Sequence, residues 1–151
     1  MKKVLALLLS MALSLAMLTG CGEKSDVKKL FRDYEDACRS MDVEAIADCF
    51  NPAVVGAITG GIMGAFGLDK EALFGLLSGV IYFTDTYYED DVSEMLESYR
   101  ITPVEYAFND EKDECDVTAE SSYLLCGEET NVTNVFHCEK YRDEWYIFSV
   151  D

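Results

Sequence analysis

Residues 114–125 read Glu-Cys-Asp-Val-Thr-Ala-Glu-Ser-Ser-Tyr-Leu-Leu. Apolar or small side chains stand at nearly every second position, the period of a half-buried β-strand. The same period recurs at residues 100–108, 129–141 and 144–150. Turn-forming residues separate the four segments, at 109–113, Gly127-Glu128 and Arg142-Asp143. Connections this short force neighbouring strands to run antiparallel, so the C-terminal half is predicted to be a four-stranded meander.

Helical periodicity precedes the strands. Residues 26–41 have apolar side chains at i, i+3, i+4 and i+7 spacing, which predicts an amphipathic helix capped by Asp26. Asp42 is placed to cap a second helix, which Asn51-Pro52 ends, and residues 92–99 suggest a short last one. Helices followed by an antiparallel sheet predict an α+β domain with the helices on one sheet face.

The glycine-rich segment between these helices is open to two interpretations. Residues 53–68 are apolar and contain five glycines, and residues 72–83 are apolar again after a charged triplet. The Gly-x-x-x-Gly spacing of Gly56, Gly60 and Gly64 is typical of helices that pack closely in a membrane. Each half is too short to span a bilayer, however. Two buried helices, the second capped by Asp69, are therefore the favoured prediction.

The N-terminus has the parts of an export signal in order. Lys2 and Lys3 precede an apolar run from Val4 to Leu18, which ends in Leu-Thr-Gly-Cys at residues 18–21. This ending resembles the lipobox of bacterial lipoproteins. The resemblance implies cleavage between Gly20 and Cys21 and a diacylglyceryl thioether on Cys21. We therefore expect a chain that is lipid-anchored to the cell membrane, on its extracytoplasmic face.

These signals divide the chain into a signal peptide at 1–20, a lipidated tether at 21–25 and one domain at 26–151. Cleavage would remove Lys2 and Lys3 and no acidic residue, which leaves 10 basic and 29 acidic side chains and a net charge of −19. A charge of this sign argues against nucleic acid as a partner and against lying flat on anionic lipid, and it would steer a cationic partner toward the chain. A solvated surface that keeps the domain soluble is the favoured interpretation of this charge.

The order of elements, the second helix ending at Asn51-Pro52 and the closing strand at 143–147 resemble the nuclear transport factor 2-like (cystatin-like) superfamily. The resemblance implies helices packed on a curved four-stranded sheet, which together enclose a cone-shaped pocket. In that superfamily the pocket is catalytic in some members and a binding site in others.

Candidate site residues are few. His137, the one histidine, falls on the strand face opposite Phe136 and Cys138, which indicates a solvated residue rather than a catalytic one. We assign no catalytic residue and no cofactor. A metal site is not expected either, because the chain has no Cys-x-x-Cys and only one histidine.

Five cysteines remain after Cys21. A four-residue loop at 125–128 would place Cys115 opposite Cys138, where a disulfide is possible. A two-residue loop at Gly127-Glu128 would instead place Cys115 opposite Lys140. Buried free thiols are the favoured state, since a small apolar cysteine often serves only as core.

Three functions follow from these features. The first is a non-enzymatic, membrane-anchored module that binds a small ligand or a partner. The second is a small hydrolase or isomerase that uses the conical pocket. The third is an immunity-type or accessory lipoprotein that binds a cationic protein through its charge.

Overall fold

The structure, a computed structural model, describes residues 22–87 and 91–151. The signal peptide, the cleavage site at Gly20 and the lipidated Cys21 lie outside the described residues. The helices are α1 (residues 22–39), α2 (Val43–Asp48), α3 (Pro52–Phe66), α4 (Lys70–Tyr87) and α5 (Asp91–Ser98). The strands are β1 (Arg100–Phe108), β2 (Glu114–Leu125), β3 (Glu128–Tyr141) and β4 (Glu144–Val150).

The strands form one antiparallel sheet in the order β1-β2-β3-β4, which confirms the predicted meander. The β2–β3 turn contains Cys126 and Gly127, with φ of 53° and 77°. The β3–β4 turn contains Arg142 and Asp143, with φ of 52° and 69°. Positive φ at both central residues is the geometry of a two-residue hairpin, because its twist matches the twist of the strands. The predicted turn at Gly127-Glu128 is therefore wrong by one residue.

This turn sets the register between β2 and β3. Leu125 pairs with Glu128, and Cys115 consequently lies directly opposite Cys138. The alternative register, with Cys115 opposite Lys140, is wrong. Both cysteines are thiols here and only 1% and 2% exposed. A Cys115–Cys138 disulfide under oxidising conditions stays a prediction.

The core lies between α1 and the sheet. Val27 and Phe31 of α1 are 0% and 2% exposed, and they pack in one cluster with Val117 and Phe136 of the sheet. The rings of Phe31 and Phe136 meet edge to face, with centroids 5.1 Å apart. Burial of each such side chain contributes about 1.5–3 kcal/mol, so this contact fixes the position of α1.

The first helix begins earlier than predicted. Residues 22–25, assigned to the tether, form its first described turn. The Glu23 carboxylate accepts hydrogen bonds from Lys140 Nζ at 2.9 Å and from Trp145 Nε1 at 2.8 Å. The predicted start at Asp26 is wrong because these partners, far away in the sequence, hold the preceding turn against the β3–β4 hairpin.

The segment after α2 attaches the helices to the edge of the sheet. Asp42 caps α2 as predicted, accepting from Ala45 N–H at 3.0 Å. Cys49–Asn51 then runs parallel to β4: the Asn51 N–H donates to Ile147 O, and the Ile147 N–H donates to Cys49 O, both at 2.9 Å. The Asn51 side chain caps α3, with Pro52 in its first turn. The dipeptide thus separates α2 from α3, which lets α3 leave the sheet edge in a new direction.

The glycine-rich segment forms the two predicted helices, α3 and α4, and Asp69 accepts from Ala72 N–H at 2.8 Å as the predicted cap. The predicted burial is wrong, since Ile58 is 60% exposed and Leu76 57% exposed, while Leu73 and Phe74 are buried. The apolar face of the sheet is already covered by α1 and by neighbouring aromatic rings. Among the described residues, that face therefore leaves little apolar surface to which α3 and the rest of α4 could attach.

Candidate functional site

A cleft of about 900 Å³ opens where the first half of α1, the α2–α3 segment and the β3–β4 turn come together. The cleft is open to solvent. Its lining includes Asp26, Lys29, Leu30, Asp33, Asp48, Cys49, Phe50, Val55, Gly56, Thr59, Lys70, Asp143, Glu144, Trp145 and Tyr146. This space, which we call the cleft, is large enough for a small organic ligand or for two or three side chains of a partner.

The floor of the cleft is apolar and rigidly held. Leu30, Cys49 and Trp145 are each less than 10% exposed. The Trp145 ring meets Phe108 edge to face at 5.8 Å, and its N–H is occupied by Glu23. The ring therefore contributes apolar contact area with its orientation already fixed, which lowers the entropic cost of binding.

The rim of the cleft is acidic. Its lining includes five carboxylates, from Asp26, Asp33, Asp48, Asp143 and Glu144, and two ammonium groups, from Lys29 and Lys70. Both cations already face carboxylates: Lys29 Nζ lies 2.9 Å from Asp33, and Lys70 Nζ lies 3.3 Å from Glu44. The remaining carboxylates give the entrance a net negative potential, which a cationic group would neutralise.

The thiol on the cleft floor is not an activated nucleophile. Burial, with a smaller effect of Asp33, raises the pKa of Cys49 to about 11, and its Sγ donates to Ala45 O at 3.4 Å. A thiol of this pKa is almost fully protonated at neutral pH, whereas thiolate is the reactive form. At the rim, the hydrogen bond from the Tyr146 hydroxyl to Glu144, at 2.7 Å, raises the pKa of Tyr146. Both groups therefore act as neutral hydrogen-bonding or apolar contacts.

His137 lies on the other side of the sheet from the core. Its ring contacts the Asp116 carboxylate through Nδ1 at 2.7 Å and the Asp151 carboxylate through Nε2 at 2.9 Å. These two hydrogen bonds raise the pKa of the imidazole. The side chain is 36% exposed, so it is more constrained than a solvated strand residue, and it does not line the cleft.

The space between α1 and the sheet, where the resemblance places a conical pocket, is occupied by side chains. Phe31 and Phe136 fill its centre, and the rings of Tyr34 and Tyr99 meet edge to face at 6.2 Å. The Tyr99 hydroxyl lies 3.2 Å from Ser121 Oγ, and burial raises the pKa of both tyrosines. These hydroxyls are thus neutral members of the core. A smaller hollow of about 390 Å³ lies between α1 and β1.

The sequence did not reveal the cleft, because its walls come from segments far apart in the chain: α1, the α2–α3 segment, Lys70 of α4 and the β3–β4 turn. From the sequence alone, Glu144 and Trp145 indicate only the start of a strand, Asp143 part of a turn and Asp26 a helix cap. A usable signal is the unequal distribution of charge. Helix α1 has five basic and five acidic side chains, whereas residues 40–151 have five basic and 24 acidic ones.

Two solved structures are similar to this chain. An NTF-2 like protein of unknown function from Shewanella oneidensis superimposes with a TM-score of 0.53 and 14% identity, over 84% of this chain and 95% of that one. A SEC-C motif containing protein from Rhodopseudomonas palustris gives a TM-score of 0.50 and 13% identity, over 81% and 74%. No family model and no curated protein matches. The likeness confirms the predicted α+β architecture: the chain has an NTF2-like fold.

Proposed function

We propose that this NTF2-like domain is a non-enzymatic binding module, lipid-anchored on the extracytoplasmic face of the cell membrane, whose cleft binds a cationic ligand. The observation that carries the binding proposal is the cleft itself, with five carboxylates around a floor formed by Leu30, Cys49 and Trp145. An NTF2-like fold is suited to a ligand-binding or small-molecule-processing role, so the choice between them depends on the chemistry of the site.

The lining specifies the chemical class of the ligand. An acidic rim favours an ammonium or guanidinium group, and an apolar floor favours an alkyl or aromatic body joined to it. Organic amines meet this description, and so do the Lys or Arg side chains of a basic partner protein. The net charge of −19 after cleavage would increase the association rate of any such cation. An immunity-type or accessory role would use the same surface with a protein as the ligand.

The described groups favour binding over catalysis. The cleft thiol of Cys49 is held in its protonated form, and the tyrosine hydroxyls of the core are neutral and packed. The imidazole of His137 lies on the opposite side of the sheet, paired with two carboxylates. An isomerase or hydrolase would need an acid or base facing its substrate, with a pKa near the working pH.

The chain contains its own reporter for the cleft. Trp145 is the only tryptophan, and its ring lies in the cleft floor. We expect octylammonium to change the emission of Trp145 in a saturable way and octanoate, of equal chain length, to leave it unchanged. Asp48→Asn and Asp143→Asn should each weaken octylammonium binding several-fold, while Asp110→Asn in the β1–β2 turn serves as the matched control. Equal binding of octanoate, or equal loss in the control, would refute the proposal.

The anchor is tested separately in the intact cell. Radiolabelled palmitate should enter the wild-type chain and the control variant Cys126→Ser, and it should fail to enter Cys21→Ser. Two acyl chains hold a protein on a bilayer where one is marginal, so the Cys21→Ser chain should be shed or remain unprocessed. Incorporation of palmitate into Cys21→Ser, or its failure to enter the wild-type chain, would end this part of the proposal.

A further inference from the structure

The pair of helices α3 and α4 exposes an apolar surface that the rest of the described chain does not cover. Helix α3 contains no charged residue. Its Ile58 is 60% exposed, and on α4 Leu76 and Val80 are 57% and 55% exposed. Exposed apolar residues that stand singly are ordinary, but a contiguous set of them on adjacent elements indicates a binding surface.

The surface extends around α3 rather than along one stripe of it. The glycine side is also uncovered, because a Cβ placed on Gly56, Gly60 or Gly64 would meet nothing within 4 Å. A helix that is apolar on every side is found in a protein core or in a membrane. Contact with one flat protein surface would leave the other sides of α3 in water. The occupant must therefore cover more than one side of the helix.

The lengths of α3 and α4 limit how a bilayer could cover them. No single helix among the described residues is long and apolar enough to span a membrane; α3 and α4 reach the required hydropathy only as a pair, with a bend of 91° between them. Helix α3, at 15 residues, is about 22 Å long against a hydrocarbon core of about 30 Å. A pair bent in this way fits an interfacial position, with the apolar side chains below the headgroups and both ends returning to water.

The position of the proposed anchor places a bilayer within reach. The helix α1 is already formed at Gly22, directly after Cys21, and Glu23 is held against Lys140 and Trp145. An acyl group on Cys21 would consequently leave almost no linker between membrane and domain. The residues beyond α1 have a net charge of −19, so electrostatic attraction to anionic lipid does not hold the domain down. The uncharged α3 is the element that can enter lipid without that repulsion.

We infer that the apolar surface of α3 and α4 is inserted in the interfacial layer of the bilayer that holds the lipidated Cys21. The inference rests on the proposed lipid anchor. The α3–α4 pair then acts as a second, non-covalent attachment, and it sets the orientation of the cleft because Val55, Gly56 and Thr59 of α3 form one cleft wall.

The test uses the full chain, purified from cells and reconstituted in phosphatidylcholine vesicles with plain or brominated acyl chains. Ile62→Trp places a reporter on α3, and Phe148→Trp places the matched control on β4; the native side chains are 37% and 48% exposed. Brominated chains quench tryptophan only at hydrocarbon depth. The added tryptophan at 62 should lose most of its emission in brominated lipid, and the one at 148 should keep it. Equal emission in both lipids at position 62 would overturn the inference.

Intact mass separates the two proposals. An acylated chain with no quenching at position 62 overturns the inference and leaves the anchor standing. A chain without acyl groups overturns the proposed anchoring, and with it the basis of the inference. A second copy of the chain is the competing occupant. A dimer in detergent-free solution that Ile62→Asp and Val80→Asp dissociate, while Val132→Asp does not, would assign the surface to self-association instead.

Discussion

Asn51 joins the helices to the sheet, and its replacement by alanine should destabilise the domain more than the loss of an ordinary helix cap. The residue is 3% exposed. Its Oδ1 accepts from Ala53 N–H at 2.8 Å, and its Nδ2 donates to the Glu139 carboxylate. Its backbone N–H donates to Ile147 O on β4 at 2.9 Å. The side chain thus serves the cap of α3 and the sheet at the same time.

The size of the effect follows from these contacts. Loss of an asparagine cap costs about 1 kcal/mol. Loss of a part-buried hydrogen bond to a carboxylate costs about 1.5 kcal/mol more. Asn51→Ala should therefore lower the free energy of unfolding by about 2–3 kcal/mol, a large share of the roughly 5–15 kcal/mol typical of a domain. Asn51→Asp keeps the oxygen that caps α3 but places a second carboxylate next to Glu139. The repulsion between the two should lower the free energy of unfolding by about 1 kcal/mol or more.

Urea unfolding at neutral pH measures both variants. Asp42→Ala is the matched control, because Asp42 caps α2 through an exposed hydrogen bond and should cost about 1 kcal/mol or less. Glu139→Gln should recover most of the loss in Asn51→Asp, since it removes the like charge, and should not recover Asn51→Ala. If Asn51→Ala proves no more costly than Asp42→Ala, or if Glu139→Gln fails to rescue Asn51→Asp, the link between cap and sheet is wrong.

Four further predictions concern single groups. The two carboxylate partners of His137 raise its pKa, so its contribution to the free energy of unfolding is fully present below the unfolded pKa of about 6.5 and is lost as the pH rises through the folded value. In urea unfolding, His137→Gln should lower the free energy of unfolding by about 0.5 kcal/mol at acidic pH and leave it unchanged at basic pH. An equal loss at both pH values would contradict this prediction. Burial raises the pKa of Cys138 to about 12, so iodoacetamide should modify this thiol only in the unfolded chain. Mass spectrometry of the unfolded chain with and without reductant then distinguishes a thiol from a disulfide. Rapid modification of Cys138 in the native chain would contradict its burial. Gly60→Ala should stabilise α3 by about 0.5–1 kcal/mol and slow its amide hydrogen exchange, because a Cβ there meets no neighbour; faster exchange would show an unseen contact. The hydrogen bond from Lys140 lowers the pKa of Glu23, so this pair stabilises the fold above a pH of about 4.3, and the stabilisation is lost as the pH falls through the folded value. Glu23→Gln should therefore lower the free energy of unfolding by about 1 kcal/mol at neutral pH. A stability difference between wild type and Glu23→Gln that increases in acid would contradict the prediction.

The sheet was predictable because its determinants are local. A period of two fixes which side chains share a face, and short turns leave antiparallel pairing as the only solution. The register depended on one detail, which residues occupy the β2–β3 turn. Positive φ at both Cys126 and Gly127 settles it, and glycine at the second position was the available signal.

The burial of α3 and α4 was not predictable from composition. Apolar residues at Ile58 and Leu76 indicate that a helix needs a partner surface, but they do not say that the chain provides one. Whether the chain provides such a surface depends on the apolar face of the sheet, and that face is already covered by α1 and by the aromatic rings next to α1. The early start of α1 had a similar cause, since the contact between Glu23 and Trp145 joins residues 122 positions apart.

The two proposed surfaces restrict one another through α3. On the proposed anchoring, the absence of a flexible linker after Cys21 means that the domain cannot turn freely, so α3 and α4 determine which side faces the membrane. Val55 and Thr59 belong to α3 and also line the cleft, which then opens beside the headgroups rather than toward bulk solvent. Cations with an apolar body concentrate in this layer, because the apolar part partitions into the lipid while the charge stays in water. Such a molecule matches the acidic rim and the apolar floor together, whereas a fully hydrophilic cation matches only the rim. The ligand is therefore expected to reach the cleft from the interface, with its apolar end directed toward Trp145.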